Sequence, residues 1–309
     1  MKFRSFKIYL FAVLSMLFWG LSFVWFKIVV KWYEPLTIIF LRLIISGSLL
    51  MLFMWFNHSW QVVKRQHLKY LFLLAFTQPF CYFLGESFGL KLVSSTISSV
   101  IIATIPLFSP FAAYFLVREK VSHSIVAGMA FSFTGILLMV FNPDLSLNAS
   151  PKGVLLLFIA VFSAVAYSVV IRKIAHKYNP VTIITYQNLI GAIYFLPLFL
   201  IFDFRHFITI RPNRELIVAL LQLAVFASTL AYLFYIISIK EIGMIKANIF
   251  TNLIPVFTGI FSFFVLGERF TAVKVAGMLL VMSGVVVSQS KGISFLLKKK
   301  IKFNSSELK

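Results

Sequence analysis

The stretch Tyr33-Glu34-Pro35-Leu36-Thr37-Ile38-Ile39 returns 145 residues later as Tyr178-Asn179-Pro180-Val181-Thr182-Ile183-Ile184. Other segments return with it. Ile105-Pro106-Leu107-Phe108 is matched by Ile254-Pro255-Val256-Phe257, and Val126-Ala127-Gly128-Met129 by Val275-Ala276-Gly277-Met278, both at an offset of 149. Phe115, Glu119 and Gly135 fall on Phe264, Glu268 and Gly284 in the same ungapped frame. Self-similarity at a fixed spacing marks a doubled structural unit. The joint lies at 142–152, a polar stretch with Pro143 and Pro151.

Each unit consists of apolar stretches about as long as a bilayer-crossing helix, roughly 20 residues. Ten are expected, at 8–30, 35–56, 68–90, 94–117, 122–141, 152–172, 180–202, 215–238, 244–266 and 271–290. With 61% hydrophobic and 12% charged residues, the chain has too little polar side chain to cover a water-facing surface. β-Barrel strands would be about half as long and would alternate in polarity. The basic start followed by an apolar run resembles a signal peptide. It lacks a small-x-small cleavage site and is read as a retained first helix.

Five spans per unit is an odd number, so the second unit inserts upside down relative to the first. Inverted repeats around a midplane site are a recurrent transporter design. The expected fold is an all-α integral membrane protein with ten transmembrane helices as two inverted five-helix repeats. The repeats cover 1–143 and 144–291, and a basic tail covers 292–309. Nineteen of the 29 Lys and Arg residues fall on the side of the N-terminus and nine on the other. Both termini are therefore expected in the cytoplasm. The net charge of +20 reflects this topology rather than nucleic-acid binding.

The sequence also excludes several chemistries. No two of its five histidines, nor a histidine with Cys81, stand at metal-ligand spacing, and no metal or other cofactor is expected. There is no phosphate-cradling glycine loop and no nucleophile elbow. Cys81 reads as a small packing residue.

Trp19-Gly20-Leu21-Ser22-Phe23 precedes Lys27 in the first span, and Arg42-Leu43 lies in the second. Gly89-Leu90-Lys91 precedes Thr104-Ile105-Pro106-Leu107-Phe108, and Leu266-Gly267-Glu268-Arg269-Phe270-Thr271 stands near the end. In order and doubled spacing these motifs resemble the drug/metabolite transporter superfamily, in particular its EamA-type ten-helix members, over nearly the whole chain. The first repeat departs from the pattern with Arg118-Glu119 in place of a Gly-Glu pair. The resemblance implies export or exchange of small metabolites and a multi-pass location in a bacterial plasma membrane.

A charged side chain at bilayer depth costs about 2.5–3.5 kcal/mol on insertion scales and needs a reason to be there. Glu86 is the acid inside an expected span. Arg42 is the base well inside one, about 10 Å along the helix from Pro35. With Lys27, they are expected to form a charged cavity wall, Arg42 or Lys27 facing a substrate carboxylate and Glu86 an amine or a proton. The alternative is mutual neutralisation that fixes helix packing. Pro106 and Pro255, at equivalent repeat positions, are expected to bend their helices and free the carbonyls of Ile102 and Thr251, as hinges or irregular backbone facing a midplane cavity, or as static kinks. Trp19, Gln78, Tyr82, Gln187, Tyr232 and Asn252 complete the expected substrate site, with Tyr167, Asn248 and Phe23 as further candidates.

Glu119 and Glu268 read as turn architecture beside the N-caps Ser122 and Thr271. The pairs Gly128/Gly135 and Gly277/Gly284 read as helix-packing faces, and the tail from Lys291 as lying on anionic lipid. Together these features lead to a non-enzymatic secondary transporter in a lipid bilayer. It moves a small molecule, with an amino acid or related compound as candidate substrate and protons as candidate coupling ion. An intramembrane enzyme and a receptor or scaffold are the alternatives.

Overall fold

A computed structural model of the chain describes residues 2–59, 61–108, 123–141, 149–171, 173–175, 177–242, 247 and 250–287. Ten apolar helices run through them: α1 (Phe6–Val29), α2 (Pro35–Phe56), α3 (Arg65–Leu92), α4 (Ser95–Phe108), α5 (Val126–Val140), α6 (Pro151–Ile171), α7 (Pro180–Thr209), α8 (Arg214–Ile239), α9 (Phe250–Leu266) and α10 (Ala272–Val287). α1, α2, α3, α6, α7 and α8 are long and apolar enough to cross a membrane, and the other four are shorter. Each overlaps one of the expected stretches, of which 109–117, 122, 172, 244–246, 248–249 and 288–290 lie outside the described residues. α7 runs further at its far end, continuing past 202 to Thr209 and so taking in Asp203. The outward surface is apolar, as lipid contact demands: Ile201 is 72% exposed and Phe264 77%.

Helix starts follow from local chemistry. Pro35 and Pro180 each stand in the first helical turn, where the missing N–H costs nothing. Asn179 then caps its own helix, its Oδ1 accepting from Thr182 N at 2.8 Å. Glu34, at the equivalent position, makes no such cap and pairs with Lys91 instead. The corresponding amide, Thr37 N, donates to Asp203 Oδ2 at 2.9 Å.

α2 and α7 pack along their whole length, and their contacts give the direction. Thr37 meets Asp203, Asn188 Nδ2 donates to Ser46 Oγ at 2.8 Å, Thr182 Oγ1 meets Met54 Sδ, and Asn179 N donates to Gln61 Oε1 at 2.8 Å. Positions fall along α7 as they rise along α2, so the two run antiparallel. α5 and α10 do the same. Gly135 faces Gly277, Gly284 faces Gly128, and Ser132 Oγ donates to the Val281 carbonyl at 3.1 Å. The two glycine pairs thus pack on one another, backbone against backbone, as small residues allow. In both cases the partners are helices that the sequence repeat makes equivalent.

Among the described residues four helices are interrupted at depth, and α7 carries a further π-turn towards its end, at Phe199–Asp203. α3 carries a π-turn at Phe76–Cys81, with Gln78 extended (φ −147°, ψ 119°) ahead of a cis peptide to Pro79. α8 carries a π-turn at Leu223–Leu230. α4 breaks into a turn at Ala103 and Thr104, and α9 opens in a 3-10 turn at Phe250–Asn252. The breaks are matched across the repeat. Pro106 and Pro255 each lie just beyond an interruption. Pro106 removes the N–H that would bond the Ile102 carbonyl, and in the turn before it the Ile101 carbonyl accepts from both the N–H and the hydroxyl of Thr104, at 3.0 and 2.6 Å.

A Cβ at position 135 would collide with the Gly277 carbonyl oxygen. Gly135→Leu should therefore lower stability by about 1–3 kcal/mol or more, seen as a lower midpoint in a detergent thermal melt. An unchanged midpoint would show that α5 and α10 do not pack closely.

Candidate functional site

Gln78, Tyr82 and Glu86 are spaced four apart on α3 and share one face where the helix resumes. The Tyr82 hydroxyl donates to Glu86 Oε1 at 2.8 Å. Gln78, released from helical geometry, reaches across to α8, its Nε2 donating to the Tyr232 hydroxyl. Tyr232 and Tyr235 stand edge-on to Trp19 of α1, with ring centroids 5.2 and 5.0 Å away. From α2, the Arg42 guanidinium lies 4.3 Å from the Phe83 ring centroid, and its Nε donates to Ser228 Oγ at 2.9 Å. Ser228 and Tyr232 are one turn apart on α8. On the far side, Tyr167 of α6 donates to Gln187 Oε1 of α7 at 3.2 Å, and Tyr167 lies within electrostatic range of Tyr232 and Tyr235. Six helices converge here.

Arg42 and Glu86 are 4% and 9% exposed and feel each other's charge. They do not touch: among the described residues no N–O contact within 4.0 Å joins them. Arg42 bonds a neutral serine and Glu86 a neutral phenol. Beneath Arg42 lies an uncharged scaffold. Ser46 Oγ meets Thr229 Oγ1 at 2.7 Å and donates to the Ser228 carbonyl at 3.1 Å, while Asn188 holds Ser46. These contacts tie the irregular backbone of α8 to α2 and α7.

Arg42, Gln78, Tyr82 and Glu86 are buried, whereas Trp19, Tyr167, Tyr232 and Tyr235 are half-buried. One cavity, of about 300 Å³, opens between α9 and α10 against Val256, Phe263 and Met278. Another, of about 480 Å³, lies where α1 ends and α8 begins, beside Ile28, Arg214 and Gln222. Neither includes a residue of the cluster.

A family model for EamA-like transporters matches this chain twice, over residues 6–141 and 151–289. The chain belongs to the EamA-like transporter family. The two matches fall on either side of the joint read from the repeat. Among relatives, an uncharacterized transporter of Archaeoglobus fulgidus is 28% identical over 290 residues, covering 92% of this chain and 98% of the other. The uncharacterized transporter YcxC of Bacillus subtilis is 26% identical over 292 residues, covering 91% and 92%. A solved crystal structure shares the fold with a TM-score of 0.68 at 15% identity, covering 91% of this chain and 98% of that one.

Of the site residues expected from sequence, this EamA-like chain gathers Trp19, Arg42, Gln78, Tyr82, Glu86 and Tyr232 in one set of contacts, with Gln187 joined through Tyr167. Asn252 is buried in the 3-10 turn that opens α9, close in sequence to Pro255. Asn248 lies outside the described residues, as do Glu119, Ser122 and the tail from Lys291. Phe23 packs in the apolar core. Lys27 departs from expectation, for its electrostatic partner is Glu268 rather than Glu86. Glu268 does serve architecture, though not only that of its own turn. Its carboxylate accepts from Ser95 N at 2.7 Å and Thr96 Oγ1 at 2.6 Å, completing the start of α4. Thr271 accepts from Lys274 N at 3.3 Å, as an N-cap does.

Sequence reasoning missed Ser46, Asn188, Ser228 and Thr229. Ser46 was within reach, since it stands four residues after Arg42 and so on the same face. The others carry no signal beyond being polar in an apolar run. Asp203 was missed because it was placed just past the end of its span.

Asp203 is buried and serves Thr37 through both its N–H and its hydroxyl. Hydrogen bonds to a charged acceptor contribute about 1.5–3 kcal/mol. Asp203→Ala should lower the thermal midpoint accordingly, while Asp203→Asn, which keeps an acceptor, should lose less. Equal stability of Asp203→Ala and the parent protein would show that the contact contributes nothing.

Proposed function

We propose that this chain is a secondary transporter that exports a small metabolite by alternating access, and that its central cluster is the substrate site. The carrying observation is the pair Arg42 and Glu86, buried together without touching. A buried charge deprived of its partner costs about 3–5 kcal/mol. Opposite charges held apart among the same six helices suit a ligand that bridges them, a carboxylate on Arg42 and an ammonium on Glu86. An amino acid or a related compound has this form, and Trp19, Tyr82, Tyr232 and Tyr235 offer its side chain aromatic surface.

Antiparallel packing of α2 on α7 and of α5 on α10 supports two five-helix halves, 1–143 and 144–291, of opposite orientation. In such an arrangement the halves rock against each other and expose the centre to each side in turn. The matched interruptions in α3 and α8, and those beside Pro106 and Pro255, supply points at which the helices can flex. The sequence has no ATP-binding motif, so an ion gradient or exchange drives the cycle, and Glu86 is the side chain suited to carry a proton. The Lys and Arg distribution supports cytoplasmic termini in a plasma membrane.

Purified protein in liposomes, screened with radiolabelled amino acids with and without a pH gradient, tests this reading. Arg42→Gln and Glu86→Gln should each abolish uptake and lower the thermal midpoint, because each leaves one charge stranded. The double variant should recover much of the stability and none of the transport. Recovery of transport in the double variant would assign the pair to packing alone. Normal uptake by Glu86→Gln with an unaltered pH profile would exclude it as the proton carrier.

A further inference from the structure

The end of the bundle where α3 and α7 begin is electrostatically incomplete. α3 starts after Lys64 with no side-chain cap and no acid in its first turn. Lys64, Arg65 and Lys69 crowd there instead. The start of a helix carries partial positive charge and favours anions, so the sequence has placed the wrong sign at this point. A second irregularity lies beside it. The ammonium groups of Lys69 and Lys173, from different elements, both sit over the Tyr70 ring, 5.3 and 5.5 Å from its centroid. Lys177 Nζ lies 3.2 Å from His67 Nε2, and His67 Nδ1 meets the Tyr178 hydroxyl at 2.7 Å. The charges acting on His67 are Lys177 and Lys64. Segments 57–70 and 171–179 contain no Asp or Glu to offset these cations.

The surroundings indicate what does. Trp55 and Phe56, at the end of α2, are each 68% exposed, and Val62 beyond them 78%. Aromatic side chains of this kind mark the boundary between acyl chains and headgroups. The lysines therefore stand at the depth of lipid phosphates. We propose that this end of the protein is a binding site for an anionic phospholipid, the phosphate lying between Lys69 and Lys173 against the edge of Tyr70. The ring fixes both cations, and an apolar rim of Trp55 and Phe56 receives the acyl chains. The site is separate from the central cluster, and its occupation does not depend on what is transported.

Full-length protein in phosphatidylcholine nanodiscs, with and without phosphatidylglycerol, supplies the test, with retained lipid counted by native mass spectrometry. The parent protein should retain phosphatidylglycerol in preference to phosphatidylcholine. Lys69→Gln/Lys173→Gln should weaken that preference by about fivefold for each charge removed. Lys69→Arg/Lys173→Arg should keep it. So should Lys31→Gln/Lys152→Gln, which removes equal charge at the other ends of the helices. Undiminished preference in Lys69→Gln/Lys173→Gln, or an equal loss in the Lys31 and Lys152 control, would overturn the proposal. Displacement of the lipid by inorganic phosphate at matched ionic strength would overturn it too, by making the site one for a soluble anion.

Discussion

Hydrocarbon offers no hydrogen bonds, and nearly every feature of this molecule answers that single fact. Each polar group carried into the bilayer has to find its partner within the chain. Regular helices meet the demand along most of their length. The starts of helices and the places where they break do not, and that is where polar side chains gather. Asp203 serves the first turn of α2, Glu268 the first turn of α4, and Thr104 the break in α4. Ser46 and Asn188 close on the carbonyl of Ser228 that the π-turn of α8 releases.

The central cluster follows the same rule with one exception. Tyrosine, glutamine, serine and asparagine side chains satisfy one another across six helices. Arg42 and Glu86 are accommodated by neutral neighbours only, so their charges remain uncancelled by direct contact. The aromatic side chains of Trp19, Tyr232 and Tyr235 meet beside this uncancelled pair. The irregular turns of α3 and α8 lie on the same helices as Gln78, Tyr82, Glu86 and Tyr232.

Much of this architecture was legible in the amino-acid order. The repeat, the ten apolar stretches and the paired glycines are patterns of period and spacing, and they survive folding unchanged. Arg42, Glu86 and Tyr82 stood out because charge and hydroxyl groups are costly in hydrocarbon. What could not be read was pairing across distance. Nothing adjacent to Lys27 indicates Glu268 as its partner, and nothing near Thr37 indicates Asp203. Pro106 and Pro255 announced irregular helices, and the breaks fall in the turn before each, at Thr104 and at Phe250–Asn252, where proline withholds its N–H. The extended backbone at Gln78 has no clear precursor except Pro79 after it, which disfavours the helical conformation in the residue before.

The borrowed acceptors have a bearing on how the protein is made. α7 finishes its own first turn with Asn179, whereas α2 obtains the matching contact from Asp203, and α4 leans on Glu268 in a similar way. During synthesis the leading half emerges well before either carboxylate exists. Its amides at Thr37 and Ser95 must wait in the hydrated headgroup layer until the trailing half arrives. The leading half is thus an unfinished object whose final seating is completed only by residues translated last, which sets a physical limit on cutting the gene in two.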